Sequence, residues 1–236
     1  KSSLMRKSLS AFVLIGLLSS CMLGVQGNGK VEEANRSVED FNRISVSGMF
    51  EVHLRQADEN SLKVVADENL HELIESRVEN GVLQISTKED IGRAEELDLY
   101  IGLKDLEAME FSGAVSVKNV GELSGGELHL ESSGAAEIKL SVDYDQISIE
   151  LSGASEIEMS GKADQLRLSS SGASEVKFFE LKVDRMRLDL SGASDVEVSV
   201  EEDLSLEASG AAEIVYRGNP EISRSELSGA ASLRKD

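Results

Sequence analysis

Carboxylates return at a fixed offset through the second half of this chain of 236 residues. Glu137, Glu156, Glu175, Asp195 and Glu213 each stand three residues after the glycine of a Ser-Gly-Ala tripeptide, while Glu110, Glu131, Glu150, Asp189, Glu207 and Glu226 stand three before it. Stacked carboxylates suit two kinds of chemistry. They can share a divalent cation, because two unit charges about 4.8 Å apart repel by roughly 0.9 kcal/mol in water and a bound cation relieves that repulsion. They can also flank a glycosidic bond, if two of them are held at one defined separation across it.

The distribution of these acids weighs against the second chemistry and limits the first. An active site should break a repeat and gather acids, a base and sugar-stacking aromatics in one place, whereas these acids are spread repeat by repeat. With no tryptophan and 4% aromatic residues, the means to stack a sugar ring is scarce. Calcium wants about six to eight oxygen ligands in a cage, and no Asp-rich glycine loop of the EF-hand or nonapeptide type occurs. Glu137, Glu156, Glu175, Asp195 and Glu213 therefore read either as a solvated acidic face or as a weak site for calcium or a cationic partner. Lys118, Lys139 and Lys177 are placed to neutralise part of that column. No metal site is assigned, and no cofactor beyond this option of calcium.

The remaining nucleophiles and bases point to structure. Ser112, Ser133, Ser152, Ser171, Ser191, Ser209 and Ser228 are equivalent serines without a histidine each, so they read as corners and not as catalytic groups. His129 occupies a column otherwise holding Ser148, Arg167, Arg187, Ser205 and Arg224, which reads as outward and polar. With His53 and His71 in the N-terminal part and no HExxH, CxxC, P-loop or dinucleotide fingerprint, the histidines read as ordinary surface residues. No catalytic residue is assigned.

Cys21, the only cysteine, carries a different chemistry. Lys1, Arg6 and Lys7 precede the apolar run Leu9 to Leu18, which is shorter than the roughly 20 residues of a membrane span. Residues 1–20 thus read as a signal peptide. Leu18-Ser19-Ser20-Cys21 resembles a bacterial lipobox, in which the cysteine sulfur takes a diacylglyceryl group, and a lone cysteine leaves no intrachain disulfide to form. The implied partner is a membrane, through lipidated Cys21. Removing residues 1–20 takes away three positive charges and no acid, lowering the net charge from −20 by three to −23. So acidic a surface repels phosphate backbones and anionic headgroups, which argues against nucleic acid.

These groups are positioned by the repeat itself. Ser-Gly-Ala recurs with gaps of 21, 19, 19, 20, 18 and 19 residues, and alternating apolar residues between the tripeptides imply an all-β parallel β-helix with coils of about 19 residues. Four residues after the glycines stand Val117, Ile138, Ile157, Val176, Val196, Ile214 and Leu233, all aliphatic. Two before stand Phe111, Ser132, Leu151, Ser170, Leu190, Ala208 and Leu227. With Leu128 and Leu130, Ile147 and Ile149, Leu166 and Leu168, Met186 and Leu188, and Leu204 and Leu206, these columns should face inward. Glycine supplies a positive φ at the corner, and the serine hydroxyl can bond locally.

Ahead of the regular coils, residues 21–40 hold Gly24, Gly27 and Gly29 and mixed charge, and read as a flexible tether. Residues 41–236 form a single domain, with less regular coils and a cap over 41–105 and regular Ser-Gly-Ala coils over 106–236; about ten coils at about 4.8 Å give a rod near 48 Å. Within the first part, Leu70, Leu73 and Ile74 recur at helical spacing after Asp67, predicting a short helical element over 67–76 that could close one end. Strands resume at Val82 after the Asn80-Gly81 turn.

The opening FNRISVSGMFEVHLRQ, the stretch ENGVLQIST and the succession of SGA-S-E-V and SGA-A-E-I corners resemble the putative auto-transporter adhesin, head GIN domain family over residues 41–236. That resemblance implies a right-handed parallel β-helix on a secreted or lipid-anchored protein of the bacterial envelope, and it carries no catalytic residues across. The expected protein is a non-enzymatic, lipid-anchored envelope protein, at the outer membrane, that presents an acidic surface to an envelope or extracellular protein or glycan. A β-helical enzyme acting on a polysaccharide is the alternative.

Overall fold

Apolar and polar residues alternate almost without interruption from Arg43 to Arg217, and alternation of that period makes strands with one face in the core. The computed structural model describes residues 24–236. Thirteen strands follow one another: β1 (Val25–Gln26), β2 (Val31–Arg36), β3 (Arg43–Gln56), β4 (Ser61–Asp67), β5 (Ile74–Glu79), β6 (Val82–Thr87), β7 (Ile91–Arg93), β8 (Leu97–Leu103), β9 (Ala108–Asn119), β10 (Leu123–Ser170), β11 (Ala173–Arg217), β12 (Glu221–Leu227) and β13 (Ser232–Lys235). The fold is all-β. Eleven strands form one large mixed sheet, and β1 pairs with β7 in a separate parallel pair. Among the described residues no helix is long and apolar enough to cross a membrane.

A straight strand of β10's 48 residues would run about 160 Å. The chain instead bends at its glycines and returns beside itself. From β9 to β13 the paired positions stand in parallel 18 to 21 residues apart, as in Leu204 with Ile222, Ile157 with Val176, Leu168 with Leu188, and Ile138 with Val117. A register shift between Glu158 and Ser160 takes up the extra residue of the coil that holds Phe178 and Phe179. The aliphatic column four residues after each glycine is buried from Val117 to Ile214, with Leu233 half-buried at the last coil. The column two before is buried from Phe111 to Ala208, and only Leu227 at the end is exposed.

The corner glycines form a column of their own. A β-carbon on Gly113, Gly134, Gly153, Gly172, Gly192, Gly210 or Gly229 would meet the backbone of the preceding corner glycine, with Gly48 as the first in the series. Ser47-Gly48-Met49 is therefore the first corner, in register with Ser112-Gly113-Ala114. The tripeptides lie mostly within β9, β10 and β11, as bends in continuous pairing. The hydroxyls of Ser152, Ser191 and Ser209 do not bond locally but reach carbonyls of the preceding repeat, as Ser191 Oγ does to the Ser170 carbonyl at 3.4 Å.

The N-terminal part departs from the expected pattern in three ways. Residues 41–105 do not supply several coils in succession: β3 pairs directly with β9, and β6 and β8 lie end to end along its other edge. The remaining strands there pair antiparallel, β5 with β6, β4 with β8 and β2 with β4, and cover an edge that would otherwise present unpaired backbone groups. These strands, and not a helix, close the stack. The expected helical turn does form after Asp67, as the single 3-10 turn Glu68–Leu70, and ends before Ile74 opens β5.

Part of the expected tether is also ordered. Val31–Arg36 forms β2 because β4 offers it a free edge, and Asp67 ties down the residues before it. The Asp67 carboxylate is fully buried and accepts hydrogen bonds from the backbone N–H groups of Gly29 and Glu95. Burial alone would raise its pKa, but those donors outweigh burial and hold it below the usual carboxylate range. The Asn80-Gly81 turn forms as expected between β5 and β6, with φ of 51° and 75°.

Candidate functional site

A groove of about 1340 Å³ runs along one face of the sheet and takes one set of residues from each coil. Its floor is the residue after each corner glycine: Met49, Ala114, Ala135, Ala154, Ala173, Ala193 and Ala211. All seven are exposed. Six inter-coil steps of about 4.8 Å make this floor about 29 Å long. One wall is the acidic column, and Glu95, Glu96, Leu97, Asp98 and Tyr100 of the β8 region line one end.

All five acids singled out from the sequence, Glu137, Glu156, Glu175, Asp195 and Glu213, line this groove. Most already hold a basic partner. Lys139 stands 3.0 Å from Glu137, Lys177 bridges Glu156 at 2.7 Å and Glu175 at 2.8 Å, and Arg234 lies 3.2 Å from Glu213. Among the described residues Asp195 has no ion-pair partner. Hydrogen bonding to Lys177 holds Glu156 below the usual carboxylate range, and the two glutamates raise Lys177 in turn. The wall is an alternating ladder of charge and not a bare anionic strip.

The C-terminal half of the other acidic column, Asp189, Glu207 and Glu226, pairs with arginines. Arg167 reaches Asp189 at 2.8 Å, Arg187 reaches Glu207 at 3.2 Å, and Arg224 reaches Glu207 at 2.8 Å. His129 shares the arginine column, half-buried, as the sequence suggests. His71 is held by its Nε2, 3.0 Å from the Glu32 carbonyl.

His53 is not an ordinary surface residue. Val52 and Leu54 point into the core, so Glu51 and His53 share the outer face of β3. The parallel register sets Glu51 beside Asp98 and His53 beside Tyr100. His53 Nε2 consequently lies 3.3 Å from Asp98 Oδ2 and 3.6 Å from Glu51 Oε1. Its ring stacks on Tyr100 with centroids 4.3 Å apart and planes 6° from parallel. Lys63 sits over the Tyr100 ring. Lys118, next to His53 on β9, pairs with Glu51 and holds that carboxyl below its usual range.

Sequence reading missed this cluster, although a signal for it existed. Counting from Gly48 as from the other corner glycines puts Glu51 at the third place and His53 at the fifth, where Glu137 and Lys139 stand after Gly134. Methionine in place of alanine after Gly48 hides the match. Cys21 lies outside the described residues.

Residues 40–220 match the family model described as putative auto-transporter adhesin, head GIN domain. Three crystal structures share the fold. A putative adhesin from Bacteroides fragilis superposes with a TM-score of 0.82 at 19% identity, covering 90% of this chain and 100% of its own. A putative lipid binding protein from Parabacteroides distasonis gives 0.71 at 24% identity, over 90% and 99% of the two chains. A putative adhesin from Parabacteroides merdae gives 0.68 at 18% identity, over 90% and 98%. No curated protein matches the sequence.

Proposed function

From the premise that this chain belongs to the putative auto-transporter adhesin, head GIN domain family, we propose that it is a non-enzymatic binding module of the bacterial cell envelope. It is built as a right-handed parallel β-helix and anchored at the outer membrane through lipidated Cys21. Support for the β-helix comes from the parallel register of about 19 residues and from the column of corner glycines. The handedness rests on the family resemblance.

The observation that carries the function is the groove. Six successive repeats each contribute an alanine to the floor, after Met49 at its first position, and the acid ladder recurs along the wall, so the surface is built to lie along an extended ligand and not to close on one bond. Small floor side chains let a ligand approach the backbone closely, and exchangeable ion pairs along the wall favour a partner bearing cationic or hydrogen-bond-donating groups, in protein or glycan. The Parabacteroides distasonis neighbour, named a putative lipid binding protein, adds an amphiphile as a second candidate ligand. The exposed alanine floor suits an acyl chain, and the acidic wall disfavours an anionic head.

Filling the floor tests this reading. The double substitution Ala154→Gln and Ala173→Gln should abolish capture of the partner from the native envelope while leaving the thermal melt intact, and Arg167→Ser on the far face should leave capture unchanged. Undiminished capture by the filled groove would remove the groove from the function. Release of new reducing ends from envelope polysaccharide, lost on filling the groove, would favour the enzyme alternative. Anchorage has its own test: Cys21→Ser should free the protein from the membrane fraction or leave it uncleaved, and a processed, membrane-bound mutant would contradict lipidation.

A further inference from the structure

We propose that Glu51, His53 and Asp98 form a binding site for a borderline divalent metal ion, zinc first among them, at the β8 end of the groove. The inference stands independently of what the groove binds.

Spacing is the first argument. A neutral or charged N–H···O hydrogen bond has a usual length of about 2.9 Å, and the His53 Nε2 distances of 3.3 Å to Asp98 and 3.6 Å to Glu51 are long for one. Ligand atoms each about 2.05 Å from a tetrahedral zinc stand about 3.3 Å from one another. One donor atom from each of the three side chains lies within 4.8 Å of the other two. Small rotations of Glu51 close the set around a single ion.

Donor chemistry is the second. Calcium and magnesium take oxygen ligands, and an imidazole nitrogen beside two carboxylates selects a borderline ion such as zinc instead. Three protein donors leave a fourth tetrahedral position for water or for an oxygen of a bound ligand. Preorganisation is the third. The stack on Tyr100 fixes the plane of the imidazole, and the Tyr100 hydroxyl donates to Asp98 Oδ2 at 3.4 Å. The Asp98 side chain is only 18% exposed, so its charge is less screened than that of the other groove acids, and the His53 ring beside it is 13% exposed.

Lys118 marks the position as one that wants a cation. Its ammonium pairs with Glu51, and it is half exposed, so it can swing into solvent when a metal arrives. It is therefore a competitor, and its removal should tighten binding.

Equilibrium dialysis of the full chain against zinc, with a chelating indicator as reference, tests the site. One zinc per chain is expected. His53→Gln and Asp98→Asn should each weaken binding by about tenfold or more, His129→Gln should leave it unchanged, and Lys118→Met should strengthen it. Cobalt in place of zinc should give visible ligand-field bands that vanish in His53→Gln. The gain in Lys118→Met cannot come from misfolding, which keeps the test decisive if either loss variant unfolds. Absence of stoichiometric zinc, full binding in folded His53→Gln, or no gain in Lys118→Met would each overturn the proposal.

Discussion

A β-carbon on Gly153 would stand 2.3 Å from the carbonyl oxygen of Gly134, one coil earlier. Gly153 also has φ of +120°, a conformation that side chains of L-residues rarely adopt. Both constraints fall on one residue, so glycine at the corner is needed twice over. Neither neighbour in the tripeptide is so confined: Ser152 makes only a 3.5 Å contact to the Ser132 carbonyl, and Ala154 faces the groove.

Gly153→Ala should therefore destabilise the protein by about 3 kcal/mol or more, combining backbone strain with displacement of a stacked coil. Ser152→Ala should cost under about 1 kcal/mol. Denaturant melts of the two variants check this, and equal midpoints would mean that the corner relaxes freely.

Val176 and Glu175 are adjacent in sequence and opposite in environment. Val176 is fully buried, and Glu175 is exposed beside Lys177. Val176→Asp buries a carboxylate without a partner and should cost about 3–5 kcal/mol. Glu175→Lys exchanges one surface charge and should change stability by less than about 1 kcal/mol. Thermal melts that found both mild would require the inward and outward faces to be reassigned.

Calcium should stabilise the protein no more than sodium does at matched ionic strength. Four of the five acids Glu137, Glu156, Glu175, Asp195 and Glu213 already pair with lysine or arginine, and ligands along a sheet face do not converge into an oxygen cage. A rise in Tm specific to millimolar calcium, abolished in Glu156→Gln/Glu175→Gln, would show a calcium site instead.

Tyr144 gives the alkaline limb of stability a specific source. Its side chain is buried, its hydroxyl donates to the Leu106 carbonyl at 3.0 Å, and burial with the nearby Asp105 charge pushes the phenol up to about 12. An unfolded tyrosine titrates near about 10, so between those values the folded chain binds more protons and stability falls as pH rises. The loss should reach about 2–3 kcal/mol by pH 12. Tyr144→Phe should cost about 1 kcal/mol at neutral pH and flatten this decline. Denaturant titrations at several pH values between 8 and 12 decide it, and an unchanged slope in Tyr144→Phe would place the linkage elsewhere.

The sequence by itself determined the strand class, the interval of about 19 residues between paired positions and the facing of the columns. Those properties are local: alternation assigns Ile157 and Glu156 to opposite faces, and near-identical spacing lets Ile157 stack on Val176 without any further information. Long-range partners were decided by the tertiary structure alone. Gly48 meets Gly113 across 65 residues, β2 finds the edge of β4, and His53 meets Asp98 from 45 residues away. Every strand edge offers the same N–H and C=O groups, so alternation says which way a side chain points but not which strand lies beside it. Residues 31–36 read as a tether in the sequence because their partner, and the buried Asp67 that orders the approach to them, are set by a pairing that no local pattern encodes.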